Sequence, residues 1–430
     1  MRFERLDEWL DWQETLHPTG MDLGLERCQW LKLRMGRETL PFPVITVAGT
    51  NGKGSSVAFL DAIFRAGGYR TGTYTSPHLV RYNERIRLSG EEVSDDAILR
   101  AFARIDDARG DTVVTYFEFA TFAAIETFVD ANVDIAILEV GIGGRLDAVN
   151  VFDPDVALIT PIDIDHVKWL GPDRESAGYE KAGIMRAHRP VVVSDPEPPD
   201  SVQASAEALD AHRAQSGIDY HVQCQATHWE LRGLGRDLMS LPYPTLFGAF
   251  QTSNAAGSIV AAQYLHDRLP LDEATIANGI RSATVRGRFE VIPGCPRVIL
   301  DIAHNPHAAG ALARSLILNP CNGATHAVVA MLADKDHTQV IAPLLALVEH
   351  WHVAGLDGQR GSSGSSMGNL LRKLTSAEAV SVYDGVSAAL VAALDVSAPE
   401  DQVLVFGSCH TVGEALTAGV LQHRRAGSDG

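Results

Sequence analysis

The sequence predicts an α/β fold: a P-loop-containing, mostly parallel sheet domain followed by a smaller Rossmann-like α/β domain. Three observations predict it. Short β-branched apolar runs alternate with amphipathic helical stretches through the first two-thirds of the chain, as parallel strands with helical crossovers require. One such run, Val44-Ile45-Thr46-Val47, opens directly into the glycine-rich loop Gly49-Thr50-Asn51-Gly52-Lys53-Gly54-Ser55. After Pro293-Gly294-Cys295-Pro296 a second series of strands and helices begins. With 430 residues the chain exceeds one ordinary core. The first domain is expected over residues 1–290 and the second over 297–430, with a linker at about 287–297.

In order, the first domain reads as strands Val44–Val47, Thr71–Tyr74, Asp134–Val140, Val156–Thr160 and Val191–Ser194. The helix after the glycine loop places Val57, Leu60 and Phe64 on one face. Pro196–Pro199 breaks the pattern, and residues 200–250 read as a helix followed by short polar strands. The second domain offers strands Val298–Ile302, Ala327–Met331, Trp351–Ala354, Val380–Tyr383 and Val403–Phe406. The glycine- and serine-rich stretch Gly358–Gly368 reads as a mobile loop. No internal repeat or coiled-coil heptad is visible.

The bulk composition excludes several classes. With 46% hydrophobic and 21% charged residues the chain is globular, and no run approaches the ~18 apolar residues that span a bilayer. Met1-Arg2-Phe3-Glu4-Arg5-Leu6-Asp7-Glu8 is too acidic and interrupted for a targeting peptide. Five scattered cysteines without a C-x-x-C pair argue for a reducing cytoplasm and against a disulfide frame or zinc site. The net charge of −18 argues against nucleic acid, which needs a basic surface. An anionic ligand must therefore find local cations.

The strand–glycine loop–helix order is the geometry in which backbone N–H groups and a helix N-terminus hold phosphate oxygens. Lys53 adds a point charge, and Ser55 is placed to reach a magnesium ion. The spacing departs from G-x-x-x-x-G-K-[S/T], because Gly54 separates Lys53 from Ser55. A plain glycine turn is the competing reading, and the flanking strand and helix favour nucleotide. In wound sheets ligands bind beyond the carboxyl ends of strands. Glu139, the Asp163-Ile164-Asp165-His166 segment and Thr75-Ser76-Pro77-His78 all follow strands. Singly, such a glutamate is usually solvated and such a histidine structural; together they make a magnesium–phosphate site credible. An imidazole in a magnesium shell is unusual and points to a specialised site.

The loop AGTNGKGS, the segments TSPHLVRYNERIR, LEVGIGGRLDAVN and HVKWLGPDRESAGYEKAGI, and DIAHNPHA together resemble the folylpolyglutamate synthase/dihydrofolate synthase family, relatives of the muramyl-peptide ligases. The resemblance runs from about residue 20 to about 415. It implies an ATP-driven ligation: the substrate carboxylate becomes an acyl phosphate, and the glutamate amine then displaces phosphate. By the same resemblance Thr50, Asn51, Gly52, Lys53, Gly54 and Ser55 hold ATP, with Asn254, Arg288 and Asp301 as further nucleotide contacts. Ser76, Glu139 and His166 bind the metal, with Ser55 competing for the serine role. Lys53, Lys181 and His304 carry the catalytic role. Two magnesium ions are implied, with K⁺ as a further candidate. Lys181 matches a lysine that relatives carry as a CO₂-derived carbamate; from the sequence alone it reads as a solvated helix lysine. If the site spans a cleft between the domains, closure would complete it and exclude water.

The substrates implied are dihydropteroate, tetrahydrofolates, L-glutamate and ATP, with no nucleic acid or membrane partner and a monomeric chain. Asp22-Leu23-Gly24-Leu25-Glu26-Arg27 resembles the segment that lines a pterin pocket in bifunctional members. Thr115, Tyr116, Phe117 and Glu118 offer aromatic faces for a flat ring, and Leu146, Asp147 and Ala148 a carboxylate for its N–H groups. Core packing is the ordinary reading of those aromatics; the two segments together favour the bifunctional one. Ser408 and His410, and Asp334-Lys335-Asp336, match motifs near the glutamate side, and Ser408 is taken as a substrate contact. Arg81 and Arg85 offer anion contacts, but arginines on a helix are usually solvated and neither is assigned to the site. Lys168 and Val167 depart from the residues expected beside His166. A polyglutamate-only synthase and a muramyl-type ligase are the rivals, although the ~45 residues before the loop are too few for a nucleotide-sugar domain. A P-loop motor would keep the standard loop spacing, and a non-catalytic relative would lose Lys53, Glu139 or His166.

Overall fold

In a computed structural model the described residues are 2–17, 22–233, 236–248, 250–358 and 361–421. The chain forms two compact units: Met1–His78, Tyr82–Thr245 and Gln251–Thr284 in the first, and Leu79–Arg81, Leu246–Phe250 and Val285–Gly430 in the second.

The first unit is built on an eight-stranded sheet. Its strands are β1 (Val44–Ala48), β2 (Thr71–Tyr74), β3 (Ile86–Leu88), β4 (Glu91–Glu92), β5 (Ile135–Glu139), β6 (Val156–Ile159), β7 (Pro190–Val193) and β8 (His212–Gln215). Their spatial order is β4-β3-β2-β5-β1-β6-β7-β8. All neighbours from β2 to β8 pair in parallel, and β3 and β4 close one edge antiparallel. A strand buried on both faces reads as a continuous apolar run, and every residue of β1 and of β5 is buried. β1 lies between β5 and β6, so the chain leaves it in one direction for β2 and later recrosses it. Such a switch point opens a crevice at the strands' carboxyl ends.

The helices of this unit are α1 (Leu6–Leu16), α2 (Glu26–Arg34), α3 (Lys53–Ala66), α4 (Asp95–Arg109), α5 (Tyr116–Ala131), α6 (Val167–Leu170), α7 (Arg174–Ala182), α8 (Asp200–Ala208), α9 (Gln251–Gln263) and α10 (Glu273–Ser282). Val57, Leu60 and Phe64 are buried on α3, as the periodicity predicts, and α3 packs on α9 and α10. Trp9 of α1 is fully buried, its ring 5.6 Å from Phe102 and 6.3 Å from Phe119. That aromatic contact docks the N-terminal helix on α4 and α5. An antiparallel sheet, β9 (Tyr220–Cys224), β10 (Trp229–Gly233) and β11 (Arg236–Leu241), supplies the polar strands expected before residue 250.

The second unit has strands β12 (Glu290–Ile292), β13 (Arg297–Asp301), β14 (Thr325–Val329), β15 (His350–Ala354), β16 (Val380–Tyr383) and β17 (Gln402–Phe406), ordered β12-β13-β17-β14-β15-β16. All pair in parallel except β12 with β13. Helices α11 (Pro306–Leu318), α12 (His337–Ile341), α13 (Gly364–Leu374), α14 (Val386–Val396) and α15 (Cys409–Thr417) complete it. Separate apolar clusters cover the two sheet faces, one around Trp351 and Phe406 and the other around Val328 and Leu390.

One expectation is corrected here. The glycine–serine stretch Gly358–Gly368 is not a loop throughout, since Gly364–Gly368 forms the first turns of α13; Gln359 and Arg360 lie outside the described residues. Ser363 caps the helix by accepting from Ser366 N, and Met367 and Leu371 bury its apolar side. A good cap and a buried stripe outweigh glycine's poor helix propensity.

Candidate active site

The glycine loop fills the crevice beyond β1. Gly52 has φ +91, a conformation L side chains rarely adopt, and a Cβ there would lie 2.5 Å from Asn254 Oδ1. A Cβ on Gly49 would fall 1.8 Å from Thr160 Oγ1. Both glycines are therefore dictated by close approach of neighbouring elements. The segment after β6 pins the loop: Thr50 N and Asn51 N donate to Pro161 O (3.0 and 3.3 Å), and Thr50 Oγ1 donates to Asp163 O at 2.8 Å. α3 starts at Lys53, whose Nζ donates to the loop carbonyls of Gly49 (3.2 Å) and Thr50 (3.3 Å). Asn254 sits buried against this loop and donates to Gln251 Oε1 at 3.2 Å.

Glu139 ends β5 beside the loop. Both its carboxylate oxygens lie 3.9 Å from where a Cβ of Gly54 would be, and Ser76 N donates to Oε2 at 3.2 Å. The structure thus brings Ser76, Glu139 and the loop together. His166 occupies the left-handed region, φ +50, as N-cap of α6. That conformation is unusual for a non-glycine residue and is the sort of strain that clusters at functional sites. Among the described residues no three His, Cys, Asp or Glu side chains converge as a metal cluster. A cation at Glu139 would therefore draw on hydroxyl and phosphate oxygens, the donor set of magnesium.

Lys181 corrects the solvated reading of its helix. It is 3% exposed, because α7 turns it inward. Burial, reinforced by the positive charge of Lys53, pushes its ammonium pKa down to about 7, against the opposing pull of Asp165, Asp147 and Glu180. About half of such a lysine is the neutral, nucleophilic amine at neutral pH. Asp165 was legible only as part of the segment after β6; its field at Lys181 is a tertiary fact.

Beside this cluster lies a pocket of about 110 Å³. Asp22, Leu23 and Gly24 form one wall, Thr115, Phe117 and Glu118 a second, and Gly141, Ile142, Leu146, Asp147 and Ala148 a third. Of the ring-binding candidates, Leu25 and Tyr116 do not line it. Two devices bolt the walls together. Thr115 and Glu118 form a capping box on α5, with Thr115 N donating to Glu118 Oε2 at 2.6 Å. Arg27 then bridges segments, donating to Glu118 Oε1 (2.9 Å) and Asp22 Oδ2 (2.6 Å). Asp147 accepts from Gly141 N (3.1 Å), Ile142 N (3.0 Å) and Val149 N (3.0 Å). Burial still outweighs these bonds and the pull of Lys53, raising its pKa to about 6. Lys53 thus acts on both Asp147 and Lys181, so pocket and glycine loop are electrostatic neighbours.

The remaining candidates belong to the second unit. Asp301 accepts from Phe289 N and Ala303 N, both at 2.8 Å, and burial raises its pKa against the charge of Arg288. His304 Nδ1 lies 2.8 Å from Ile302 O, which fixes its proton on Nδ1. Ser408 is the N-cap of α15, accepting from Thr411 N at 3.0 Å, so its hydroxyl already has a structural task.

The Mur ligase middle domain family matches residues 47–262, and the Mur ligase glutamate ligase domain family matches residues 287–409. The dihydrofolate synthase/folylpolyglutamate synthase of Escherichia coli (strain K12) is 42% identical over 423 residues, covering 98% of this chain and 97% of that protein. Its namesake in Bacillus subtilis (strain 168) is 32% identical over 360 residues, 80% of this chain and 83% of that one. Among solved structures, E. coli FolC in complex with DHPP and ADP superposes with a TM-score of 0.91 at 41% identity, covering 98% of this chain and 99% of that one. A bifunctional folylpolyglutamate synthase/dihydrofolate synthase with Mn, AMPPNP and L-glutamate bound gives 0.88 at 40% identity, over 96% and 98%.

Proposed function

The chain belongs to the dihydrofolate synthase/folylpolyglutamate synthase family of ATP-dependent ligases, and we propose that it joins L-glutamate to dihydropteroate and to reduced folates through an acyl phosphate. One observation carries this reading: Glu139, the last residue of β5, faces Gly54 of the glycine loop, and the chain that leaves it supplies Gly141, Ile142 and Asp147 to the wall of the pocket. A flat acid held in the pocket then presents its carboxylate to the terminal phosphate of ATP.

Phosphoryl transfer needs positioning and charge neutralisation more than covalent help. The loop amides and Lys53 bind the phosphates, and Lys53 leaves its loop carbonyls to do so. Asp147, held by three backbone N–H groups, orients the pterin through its ring N–H groups, while Phe117 gives the ring a face. The amine of glutamate attacks the acyl carbon and phosphate leaves. Ser76, Glu139 and His166 are the residues that would hold a divalent cation; the buried Glu139 carboxylate facing Gly54 suits one. Such an ion, magnesium in the family reading, supplies positive charge to the phosphate oxygens. Lys181, neutral enough to capture CO₂, would become a carbamate anion at the same corner. Asn254, Arg288 and Asp301 are the proposed further nucleotide contacts, and His304 and Ser408 the proposed contributions of the second unit.

The test is incubation of purified protein with ATP, magnesium and labelled glutamate, once with dihydropteroate and once with tetrahydrofolate. Labelled amide from both acids is expected. Product from tetrahydrofolate alone removes the pterin role of Asp22–Gly24 and Asp147 and leaves a polyglutamate synthase.

A further inference from the structure

The stretch that carries Asp147 into the pocket wall also grips the turn that carries Lys181. Arg145 N donates to Glu180 O at 2.7 Å, and Asn150 Nδ2 donates both to Arg145 O (3.1 Å) and to Gly183 O (3.0 Å). Lys181 thus lies between two carbonyls, those of Glu180 and Gly183, that accept from one short piece of chain. Asp147 lies within that piece, between Arg145 and Asn150. The piece is itself braced, since Asp147 N donates to Gly144 O (3.1 Å) and Asn150 N to Asp147 O (2.9 Å). A helix leaves its last carbonyls unpaired, and α7 ends at Ala182. The side chain of Asn150 answers the carbonyl of Gly183 just beyond that end.

Two glycines let the segments meet backbone to backbone. A Cβ on Gly144 would lie 2.8 Å from Glu180 O and 3.0 Å from Lys181 O, and one on Gly183 would fall 2.5 Å from Arg145 Cα. Other ties are weaker or serve the same amide. The Arg145–Glu180 ion pair, 2.8 Å, is partly open to water and adds little. Arg186 reaches Gly183 O only at 3.4 Å, while its Nη2 braces Asn150 by donating to the backbone carbonyl at 2.8 Å. Asn150 is 5% exposed, and its Oδ1 has no hydrogen-bond partner among the described residues. Two carbonyl oxygens only accept, so the amide nitrogen must face them and the amide oxygen is left over. A buried, unanswered acceptor costs stability. An apolar side chain of the same volume would avoid that cost, so what the amide contributes here is its two donated bonds.

We propose that Asn150 is a positioning residue for ligation: by tying the carbonyls of Arg145 and Gly183 together it holds the Lys181 turn in register with Asp147, so that the acid in the pocket and the side chain of Lys181 keep one fixed geometry. The assignment rests on the ligase reading above. A misplacement of about 1 Å between reacting groups and the residues around them costs about 100-fold in rate, which sets the scale of the expected effect.

The experiment compares wild-type protein with Asn150→Leu and Gly144→Ala. The first removes the tie and the orphan acceptor while keeping the volume; the second keeps Asn150 and wedges a methyl group between the segments. Both should lower kcat about 10- to 100-fold with dihydropteroate and with tetrahydrofolate, while KM for either acid and calorimetric affinity for an ATP analogue stay within about threefold. Rates are taken per folded molecule, from near-ultraviolet circular dichroism. A merely structural role moves the urea midpoint and leaves kcat of the folded protein unchanged; that result, or a rise in KM at unchanged kcat, overturns the assignment. Protein labelled with ¹⁵N-lysine gives a readout that needs no turnover. In the wild type dihydropteroate should shift the amide resonance of Lys181, identified by its loss in Lys181→Met, and in Asn150→Leu that shift should be lost. An undiminished shift in the variant, or none in the wild type, overturns the register, and the wild-type arm needs no variant to fold. Absence of product from either acid overturns the ligase reading, and the labelled-amide comparison still decides the role of Asn150.

Discussion

Replacing Lys181 by methionine should make the protein more stable while abolishing ligation. The residue is 3% exposed, and its pKa falls from 10.5 in the unfolded chain to about 7 in the fold. The unfolded chain therefore holds the extra proton between those two values, and stability from this group rises with pH across that window. Below pH 7 both states are protonated and the folded protein carries the whole cost of burying the ammonium. That cost is at most about 4 kcal/mol at pH 7, and adjustment of Asp147 and Asp165 towards the charge brings it to about 2–3 kcal/mol. Methionine has a similar length and no charge to bury. In CO₂-free buffer, urea unfolding should find Lys181→Met more stable by that amount at pH 6–7, with the two proteins converging towards pH 10. Added ¹³C-bicarbonate should give the wild type a carbamate resonance that the variant lacks. Equal stability at pH 7, or parallel pH dependence of the two, would refute the argument that burial makes this lysine reactive.

Two further outcomes are expected. Gly52→Ala forces a Cβ to within 2.5 Å of Asn254 Oδ1 at φ +91; it should weaken calorimetric binding of an ATP analogue at least ~10-fold and destabilise the first unit by about 1–3 kcal/mol. In the second unit His352 lies 3.3 Å from His326 and 3.2 Å from Tyr383 Oη; His350 acts on both histidines, Glu349 and Asp401 act on His326, and burial lowers the pKa of His352 from 6.5 to about 4. The histidine is neutral in the fold, so its contribution is complete above pH 6.5 and is lost as pH falls towards 4. The loss is about 2 kcal/mol once water at the cluster's edge is allowed for, and His352→Phe should flatten that decline in urea midpoints.

Much of the architecture was legible because its signals are local. β1 announces itself through four consecutive apolar or β-branched residues, and α3 through the spacing of Val57, Leu60 and Phe64. The segments 22–24, 115–118 and 146–148 stood out through resemblance, and the fold gathers them around one pocket with Tyr116 outside its lining. α13 was missed because the glycines and serines that suggest a loop also supply a helix N-cap, and only the buried Met367 and Leu371 decide between them.

The sequence by itself therefore determined most of the order of strands and helices, the glycine loop after β1 and the chemistry available to each segment. These depend on residue type and on spacings of a few positions along one chain. Tertiary structure alone decided that Lys181 is buried within the field of Lys53 and that burial holds the pKa of Asp147 up at about 6. Each of those facts is an electrostatic energy. Such energies depend on exclusion of water and on charges that lie tens of residues apart in the chain but a few ångströms apart in space.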